Sequence, residues 1–208
     1  MTKRIVIVGA GGMGREIFNW LQACESELTV IGFIDDNLHA LDGFNYEPRV
    51  ISRIEDYIPN EDVHHVLAIM NPLSKKNIVS YLKIAGSKFY RFIHPTAIIG
   101  TNVQLGEGVV ITPGCILTCD IRVGDFVFLN TQTTLGHDVR VGDFTSINGK
   151  VEISGYVEIG NEVIIGSGVV VLPKKRIASK AVIGAGSVVA GNINKPITVF
   201  GNPAKRLG

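Results

Sequence analysis

Hydrophobic and polar residues follow one pattern in the first half of this 208-residue chain and a different pattern in the second half. Up to about residue 93, short apolar runs alternate with amphipathic stretches, as strands alternating with helices do. From residue 99 onward, an aliphatic residue recurs at every sixth position. A change of period of this kind indicates a domain boundary, so we expect one domain over residues 1–93 and a second over residues 94–208.

The first half predicts an α/β domain. Its apolar runs have the length of strands, and each is followed by a glycine turn or a helical stretch. The predicted strands cover residues 4–8, 29–34, 65–70 and 89–93, and the predicted helices cover residues 15 to about 24 and 74–85. Strands that alternate with helices form parallel sheets with right-handed crossovers, so we expect a half-Rossmann-like sheet.

The second half is a repeat of six residues. Sixteen successive hexads, beginning at Ile99, carry Ile, Leu or Val at their first position. The second position is glycine in eight hexads and Ala, Ser, Thr or Asn in seven, with Leu172 as the exception. An aliphatic residue at every sixth position can point to the axis of a triangular coil, while the small residue beside it lets the chain turn. The repeat therefore predicts a parallel β-helix whose stacked aliphatic rows form the core.

The hexads and the motifs around them carry a family resemblance. The repeat resembles the left-handed β-helix of the hexapeptide-repeat acyltransferases. It is preceded by Gly-x-Gly-Gly-x-Gly at residues 9–14 and His94-Pro95, and it is followed by Gly-Asn-Pro-Ala-Lys at residues 201–205. This order is similar to that of the NeuD/PglD-type sugar O- and N-acetyltransferases, over almost the whole chain. The resemblance implies an acetyl-CoA-dependent sugar acetyltransferase that needs no metal and assembles as a homotrimer.

The glycine motif fits a nucleotide. It follows a predicted strand and opens a predicted helix, and Asp35 ends the next strand. Glycines there let backbone N–H groups approach a phosphate, and a carboxylate can accept ribose hydroxyls. NAD binding and a purely structural glycine turn are the alternatives. Only about half of a dinucleotide fold fits before residue 99, which favours the nucleotide end of a nucleotide-sugar. The resemblance places substrate contacts at Gly11, Gly12, Met13, Asp35, Asp36 and Met70.

His137 is the histidine that falls within the sixteen hexads, at a third position that should face outward. An imidazole exchanges protons near neutral pH, and the adjacent Asp138 can stabilise its charged form. By itself, a corner histidine can also be merely solvated. The resemblance adds weight, because Asn130-Thr-x-x-x-x-Gly-His-Asp matches the segment that carries the family's catalytic base. We therefore expect direct acetyl transfer with His137 as general base. A covalent acyl-enzyme is disfavoured, because Gly-x-Ser-x-Gly is absent and neither Cys115 nor Cys119 has a histidine nearby in sequence.

Further contacts are expected on the β-helix. Asn130 is a candidate for a hydrogen bond to the acceptor amine or hydroxyl, with a structural role in its corner as the alternative. The resemblance implies that coenzyme A lies in a groove between subunits, and the matching positions are Ser146, Gly155, Ser167 and Ala185. Ser146 departs from the N-acetyltransferase branch, which can carry a second histidine there. Basic residues could meet coenzyme A phosphates or simply be solvated: Lys174, Lys175, Arg176, Lys205 and Arg206.

Composition narrows the function classes. The 20 basic and 19 acidic residues leave a formal charge of +1, without the basic excess of a nucleic-acid or anionic-membrane binder. No apolar run has the length of a membrane-spanning helix, and no signal sequence is recognisable, so neither a membrane span nor secretion is expected. The three cysteines lack metal-ligand spacing, which indicates free thiols in a reducing cytoplasm.

The expected function is N-acetylation of a nucleotide-linked amino-dideoxysugar for surface-glycan biosynthesis. O-acetylation of sialic acid or a related sugar is the alternative within the same fold. Outside this class, the alternatives are an NAD-binding enzyme and a β-helix scaffold without catalytic activity.

Overall fold

The structure is a computed structural model that describes residues 2–24 and 28–207. The chain divides into two compact units, residues 1–91 and residues 92–208. The fold class expected from the sequence is confirmed: a parallel α/β unit precedes a parallel β-helix. Among the described residues, no helix is both long enough and apolar enough to cross a membrane.

The first unit contains a five-stranded parallel sheet with two helices. Its elements are β1 (Lys3–Val8), α1 (Gly12–Cys24), β2 (Leu28–Ile34), β3 (Val50–Ser52), β4 (Val63–Leu67), α2 (Pro72–Ile84) and β5 (Lys88–Phe89). The strand order is β3-β2-β1-β4-β5, so the winding direction reverses between β1 and β4. Ligands of open α/β sheets bind outside the carboxyl ends of the strands at such a reversal. The glycine motif follows β1 directly at this point.

Local sequence explains these elements. Residues 5–8 of β1 are fully buried, as expected for a central parallel strand covered on both faces. Helix α1 buries Ile17, Phe18 and Leu21 along one side. Helix α2 begins after Asn71, whose side chain accepts the backbone N–H of Ser74 at 3.0 Å.

Several predicted boundaries were wrong. Helix α1 begins at Gly12, inside the glycine motif, and β4 ends at Leu67, which leaves Met70 in the following loop. The three-residue strand β3 was missed, because so short a segment carries no period. The predicted strand 89–93 is two strands: β5 closes the first sheet, and β6 (Phe92–Ile93) pairs with residues 110–111 of the β-helix. Ile93 is in phase with Ile99, so the hexads begin one unit earlier than predicted.

The β-helix consists of short strands, and partners in neighbouring coils are separated by three hexads, as in the pair Ile98 and Ile116. After β6, its strands are β7 (Ile98–Ile99), β8 (Gln104–Leu105), β9 (Val110–Ile111), β10 (Ile116–Leu117), β11 (Arg122–Val123), β12 (Phe128–Leu129), β13 (Thr134–Leu135), β14 (Arg140–Val141), β15 (Ser146–Ile147), β16 (Glu152–Ile153), β17 (Glu158–Ile159), β18 (Ile164–Ile165), β19 (Val170–Val171), β20 (Arg176–Ile177), β21 (Val182–Ile183), β22 (Val188–Val189), β23 (Thr198–Phe200) and β24 (Lys205–Arg206). They form a six-stranded sheet from β7 to β22, a five-stranded sheet from β8 to β20, and an eight-stranded sheet from β6 to β24.

Different positions of the hexad have different roles in the coil. From residue 109 onward, first positions and most fifth positions supply the buried apolar core, and Thr133, Thr145 and Ser187 are buried polar residues at fifth positions. Every fourth position from residue 102 to residue 186 has a left-handed φ, between 55° and 72°. The turn is therefore made at the fourth position. The prediction from the sequence, which placed the turn at the small second residue, was wrong. The second residue is small because coils stack there: a Cβ on Gly136 would lie 2.7 Å from the backbone nitrogen of Gly155.

Candidate active site

His137 and Asp138 form a pair on the outside of the β-helix. They lie at the corner between the six-stranded and five-stranded sheets, which we call the His137 corner (residues 136–139). Nδ1 of His137 lies 2.9 Å from Oδ2 of Asp138, and the two side chains are 55% and 41% exposed. An ionised carboxylate only accepts hydrogen bonds, so in a neutral imidazole at this position Nδ1 carries the proton and Nε2 has the lone pair. The corner thus presents an oriented imidazole whose Nε2 can act as a base.

The next coil packs against this imidazole. Gly155 and Tyr156 lie one coil beyond His137 and Asp138, and the N–H of Tyr156 donates to the carbonyl of His137 at 2.9 Å. A Cβ on Gly155 would lie 2.6 Å from Nε2 of His137, so only glycine leaves the ring its present place. The Tyr156 ring meets the imidazole edge to face, with centroids 5.0 Å apart. Sequence reasoning missed Tyr156, although its separation of three hexads from Asp138 marks the contact.

Cys119 lies on the coil before His137, and its carbonyl accepts the N–H of Asp138 at 3.2 Å. Partial burial and the carboxylates of Asp120 and Asp138 raise the pKa of the Cys119 thiol. Because the thiolate is the nucleophilic form, a raised pKa makes Cys119 a poor acyl acceptor. Cys115 is fully buried in the core, as its inward position indicated, and its Sγ donates to the carbonyl of Asn130.

A groove of about 390 Å³ runs beside the His137 corner. Side chains from fourth and sixth hexad positions of four successive coils line it: Asn102, Gln104, Asp120, Arg122, Asp138, Arg140, Tyr156 and Glu158. The lining contains both hydrogen-bond donors and hydrogen-bond acceptors, which suits a ligand rich in hydroxyl groups. Asp138 and Tyr156 belong both to this groove and to the surroundings of His137, so a ligand in the groove lies next to the base.

The remaining β-helix candidates lie elsewhere on the coil. Asn130, Ser167 and Ala185 occupy the corner between the eight-stranded and six-stranded sheets, which we call the Asn130 corner (residues 130–133 and their equivalents in other coils). Ser146 lies in β15 of the eight-stranded sheet and is 1% exposed. The Oδ1 of Asn130 accepts the N–H of Thr131 at 2.7 Å. Within one chain, the fold therefore brings Gly155 to His137 and places the other four on the far side of the six-stranded sheet.

The glycine motif divides into two kinds of glycine. Gly9 has a φ of +101°, which L side chains rarely adopt, and a Cβ on Gly14 would overlap the carbonyl oxygen of Gly9. Gly11 and Gly12 are exposed, and a Cβ on either would meet no atom within 4 Å. The packing of this unit therefore requires Gly9 and Gly14 but not Gly11 or Gly12. Open backbone at the start of a helix is the geometry that admits a phosphate.

Asp35 lies against the glycine motif. Its Oδ2 accepts the N–H of Ala10 at 2.7 Å, and its Oδ1 accepts the N–H of Asn37 at 2.9 Å. The Oδ1 of Asp36 accepts the N–H of Ile54 at 3.3 Å. The structure thus brings Asp35 to the loop, as the fingerprint requires, and adds a bond that fixes the loop. The other two expected contacts, Met13 and Met70, are half-buried.

The other histidines have structural surroundings. His65 is fully buried, with Nδ1 3.0 Å from the carbonyl of Lys88 and Nε2 3.2 Å from the Tyr57 hydroxyl. Burial lowers the pKa of His65. His94, which the sequence placed outside the repeat, belongs to the first coil and bonds to Thr96 at 2.8 Å. His39 is exposed and pairs with Asp42. No cluster of His, Cys, Asp and Glu suited to a metal ion occurs within residues 2–24 and 28–207.

Comparison with known proteins gives matches in both units. The family model of the PglD N-terminal domain matches residues 4–82, and that of the GMPPB C-terminal domain matches residues 88–185. UDP-N-acetylbacillosamine N-acetyltransferase of Bacillus subtilis (strain 168) is 30% identical over 113 residues, which are 52% of this chain and 51% of that protein. The match thus spans about half the length of this curated relative.

Solved structures match the whole chain. The acetyltransferase domain of PglB from Neisseria gonorrhoeae FA1090 aligns with a TM-score of 0.90 and 28% identity, over 99% of this chain and 100% of that one. The same domain is also known in complex with acetyl coenzyme A. PerB from Caulobacter crescentus, in complex with CoA and GDP-perosamine, aligns with a TM-score of 0.88 and 26% identity, over 98% of this chain and 97% of that one.

Proposed function

We propose that this chain is a PglD-type sugar acetyltransferase, which transfers the acetyl group of acetyl-CoA to the amine of a nucleotide-linked amino-dideoxysugar. The observation that carries the proposal is the 2.9 Å contact between Nδ1 of His137 and Asp138, which leaves Nε2 as a base at an exposed corner. The relatives add the substrate class, since one is named for N-acetylation of a UDP-linked sugar and another binds CoA and GDP-perosamine.

The reaction needs one base and no covalent enzyme intermediate. The sugar nitrogen attacks the thioester carbonyl carbon, so that a C–N bond forms and Nε2 of His137 takes the proton that the nitrogen sheds. The C–S bond then breaks, and the proton passes from His137 to the departing coenzyme A sulfur. Asp138 holds the ring and balances the charge of the imidazolium in the interim. A positioned base of this kind contributes about 10²–10⁴-fold to the rate.

The nucleotide of the acceptor is assigned to the glycine motif. Gly11 and Gly12 have no steric reason to be glycine within the unit, and Asp35 and Asp36 follow the neighbouring strand. Backbone N–H groups at the start of α1 would bind phosphate, and the carboxylates would accept hydrogen bonds from the nucleoside. Met13 and Met70 would supply apolar contacts.

Two observations support a homotrimer with shared active sites. The outer face of the six-stranded sheet carries Ile98 and Ile116, which are 60% and 36% exposed, together with half-buried Val170 and Val188. An apolar face of this kind marks an interaction surface. In addition, Ser146, Ser167, Ala185 and Asn130 lie across that sheet from His137, so coenzyme A would contact the His137 corner of one copy and the Asn130 corner of another.

The activity is tested by release of coenzyme A thiol from acetyl-CoA with a panel of acceptors. The panel contains UDP-, GDP- and dTDP-linked amino-dideoxysugars, the matching free amino sugars, and sialic acid. We expect turnover with at least one nucleotide-linked amine and much weaker turnover with its free sugar. Turnover of sialic acid alone would establish the O-acetyltransferase alternative. Binding of NAD in place of the nucleotide-sugars would establish the dinucleotide alternative.

Shared sites are tested by complementation. His137→Ala removes the base from one corner, and Ser167→Trp adds bulk at an exposed position on the other corner. Each variant alone should be inactive. Mixed trimers, made by co-expression, should regain turnover, because some interfaces then combine two intact corners. Wild-type protein that sediments as a monomer, or mixed assemblies without activity, would contradict the shared site.

A further inference from the structure

Non-glycine residues in the left-handed backbone region carry a steric cost, which is greater for bulky side chains than for asparagine or aspartate. The fourth hexad position imposes this region on every corner, and three aromatic residues occupy it: Phe126, Phe144 and Tyr156. Their φ angles are 55°, 58° and 59°. Exposed residues such as Lys180 also occupy this position, so the backbone alone assigns no role and the contacts of each ring decide.

Packing within the β-helix explains two of the three. Phe126 and Phe144 stack on each other, with centroids 5.3 Å apart and rings 11° from parallel. Phe126 is 2% exposed, so burial of its ring offsets the steric cost of its left-handed backbone. These two rings belong to the corner opposite the six-stranded sheet and take no part in the candidate site.

Tyr156 has no comparable structural reason. It is 52% exposed, so it gains little from burial. Within the described part of the chain, its ring contact is with the imidazole of His137, at 5.0 Å and 88°. Its N–H also bonds to the carbonyl of His137, so the residue contacts both the backbone and the ring of the base.

We infer that Tyr156 is a positioning residue for His137, an inference that rests on the proposed function. The imidazole is held at Nδ1 by Asp138, it lies over the bare Cα of Gly155, and it is fixed in orientation by the Tyr156 ring. Asp138 alone leaves the ring free to swing about the Nδ1 contact. The edge-to-face contact limits that motion and keeps Nε2 in one direction, which matters because small misplacements of a catalytic group reduce rates strongly.

The decisive variant is Tyr156→Gly, which removes the ring and the backbone strain together. A merely structural residue of this kind would leave kcat alone, and the variant would melt at the same temperature or higher. We expect kcat to fall about tenfold, with the KM for acetyl-CoA unchanged and the melting temperature not lowered. Tyr156→Phe keeps the ring, so its kcat should lie well above that of Tyr156→Gly.

Lys180→Gly is the matched control. Lys180 is exposed and has the same backbone conformation, with φ at 64°, on a corner away from His137. It should gain the same relief of strain and keep wild-type kcat. Wild-type kcat in Tyr156→Gly, or an equal loss in Lys180→Gly, would overturn the inference. An equal loss in Tyr156→Phe would also overturn it, because the hydroxyl and not the ring would then be responsible.

Nuclear magnetic resonance of labelled histidine gives a readout that needs no acceptor. The ring current of Tyr156 should shift the carbon-bound imidazole protons of His137, assigned by their loss in His137→Ala. The shift should disappear in Tyr156→Gly and persist in Tyr156→Phe and Lys180→Gly. An unchanged shift in Tyr156→Gly would refute the contact. If no acceptor turns over, the proposed function fails while this measurement still decides the contact.

Discussion

The glycine motif of the first unit and the His137 corner of the β-helix differ in what they present to a ligand: backbone atoms at the motif and a side chain at the corner. At the motif, side chains are absent: Gly11 and Gly12 leave backbone open to a ligand. At the corner, a regular backbone presents an imidazole at a third hexad position, which faces away from the core. The motif offers backbone atoms because side chains are missing from its loop, whereas the corner offers a functional side chain on a regular repeat.

The same criterion nevertheless identifies both sites. Gly9 and Gly14 are required by the first unit, just as Gly136 is required by stacked coils. Gly11, Gly12, His137 and Tyr156 are residues that the packing of their own unit does not require. In both regions, the role that we propose for such residues is to bind a ligand or to take part in the reaction.

The comparison is tested most severely by His137→Ala. If His137 is required by chemistry and not by packing, kcat should fall about 10²–10⁴-fold while the thermal unfolding curve stays in place. Thiol release and circular dichroism measure the two effects. His39→Ala is the control, because His39 is exposed and also pairs with an aspartate. Wild-type turnover in His137→Ala would remove the corner from the mechanism.

The glycine motif offers a paired test of the same idea. Gly14→Ala forces a Cβ into the Gly9 carbonyl and should destabilise the first unit by about 2–3 kcal/mol. Gly11→Ala meets no atom, so stability should change by less than about 0.5 kcal/mol. Its KM for the nucleotide-sugar should nevertheless rise about tenfold, because the new methyl group occupies the phosphate approach. Equal effects on stability, or an unchanged KM in Gly11→Ala, would argue for a structural glycine turn.

Much of this fold was predictable because the same six-residue pattern recurs along the β-helix. The register between coils follows from three hexads per coil, so Ile99 and Leu117 must stack. The phase even extends to Ile93, although the sequence indicated a single strand over residues 89–93. The turn was assigned to the wrong position, because a small second residue is visible in the sequence, whereas a left-handed φ at Asp138 is not.

The candidate site was predictable only in part. His137 and Asp138 were found as neighbours in sequence, and Asp35 by its distance from the glycines. The contact between Tyr156 and His137 depends on the coil register, and no local pattern encodes it. The separation of Asn130 and Ser146 from His137 depends on which edge of the triangle each hexad occupies. A single chain contains each half of the proposed coenzyme A groove, and the proposed trimer would bring the halves together.

Asp138→Asn sharpens the account of the corner. Asparagine tolerates the left-handed backbone at this position, and its amide oxygen can still accept the proton on Nδ1. The bond loses its charge, however, and charge-assisted hydrogen bonds are about twice as strong as neutral ones. We expect kcat to fall about tenfold with little change in melting temperature. Asp42→Asn alters the same 2.9 Å pairing on an exposed loop and should leave kcat unchanged. Equal rates for Asp138→Asn and wild type would show that the hydrogen bond to Nδ1 suffices without the charge of Asp138.

The smallest expected effect is a difference between the two units in how the free energy of unfolding depends on pH. In the apolar core cluster described for the β-helix, Cys115 is the titratable side chain, whereas the first unit buries Lys75, and burial lowers the pKa of Lys75 to about 7. The unfolded chain holds that proton up to about pH 10.5, so between pH 7 and 10 it binds more protons than the folded unit. The free energy of unfolding should therefore rise with pH in this window, by at most about 1.4 kcal/mol per pH unit.

Urea unfolding followed by fluorescence of Trp20, the chain's single tryptophan, reports on the first unit alone. Lys75→Met should flatten the rise, and Lys76→Met, at the exposed neighbouring position, should keep it. A rise that persists in Lys75→Met would assign the pH dependence to another group.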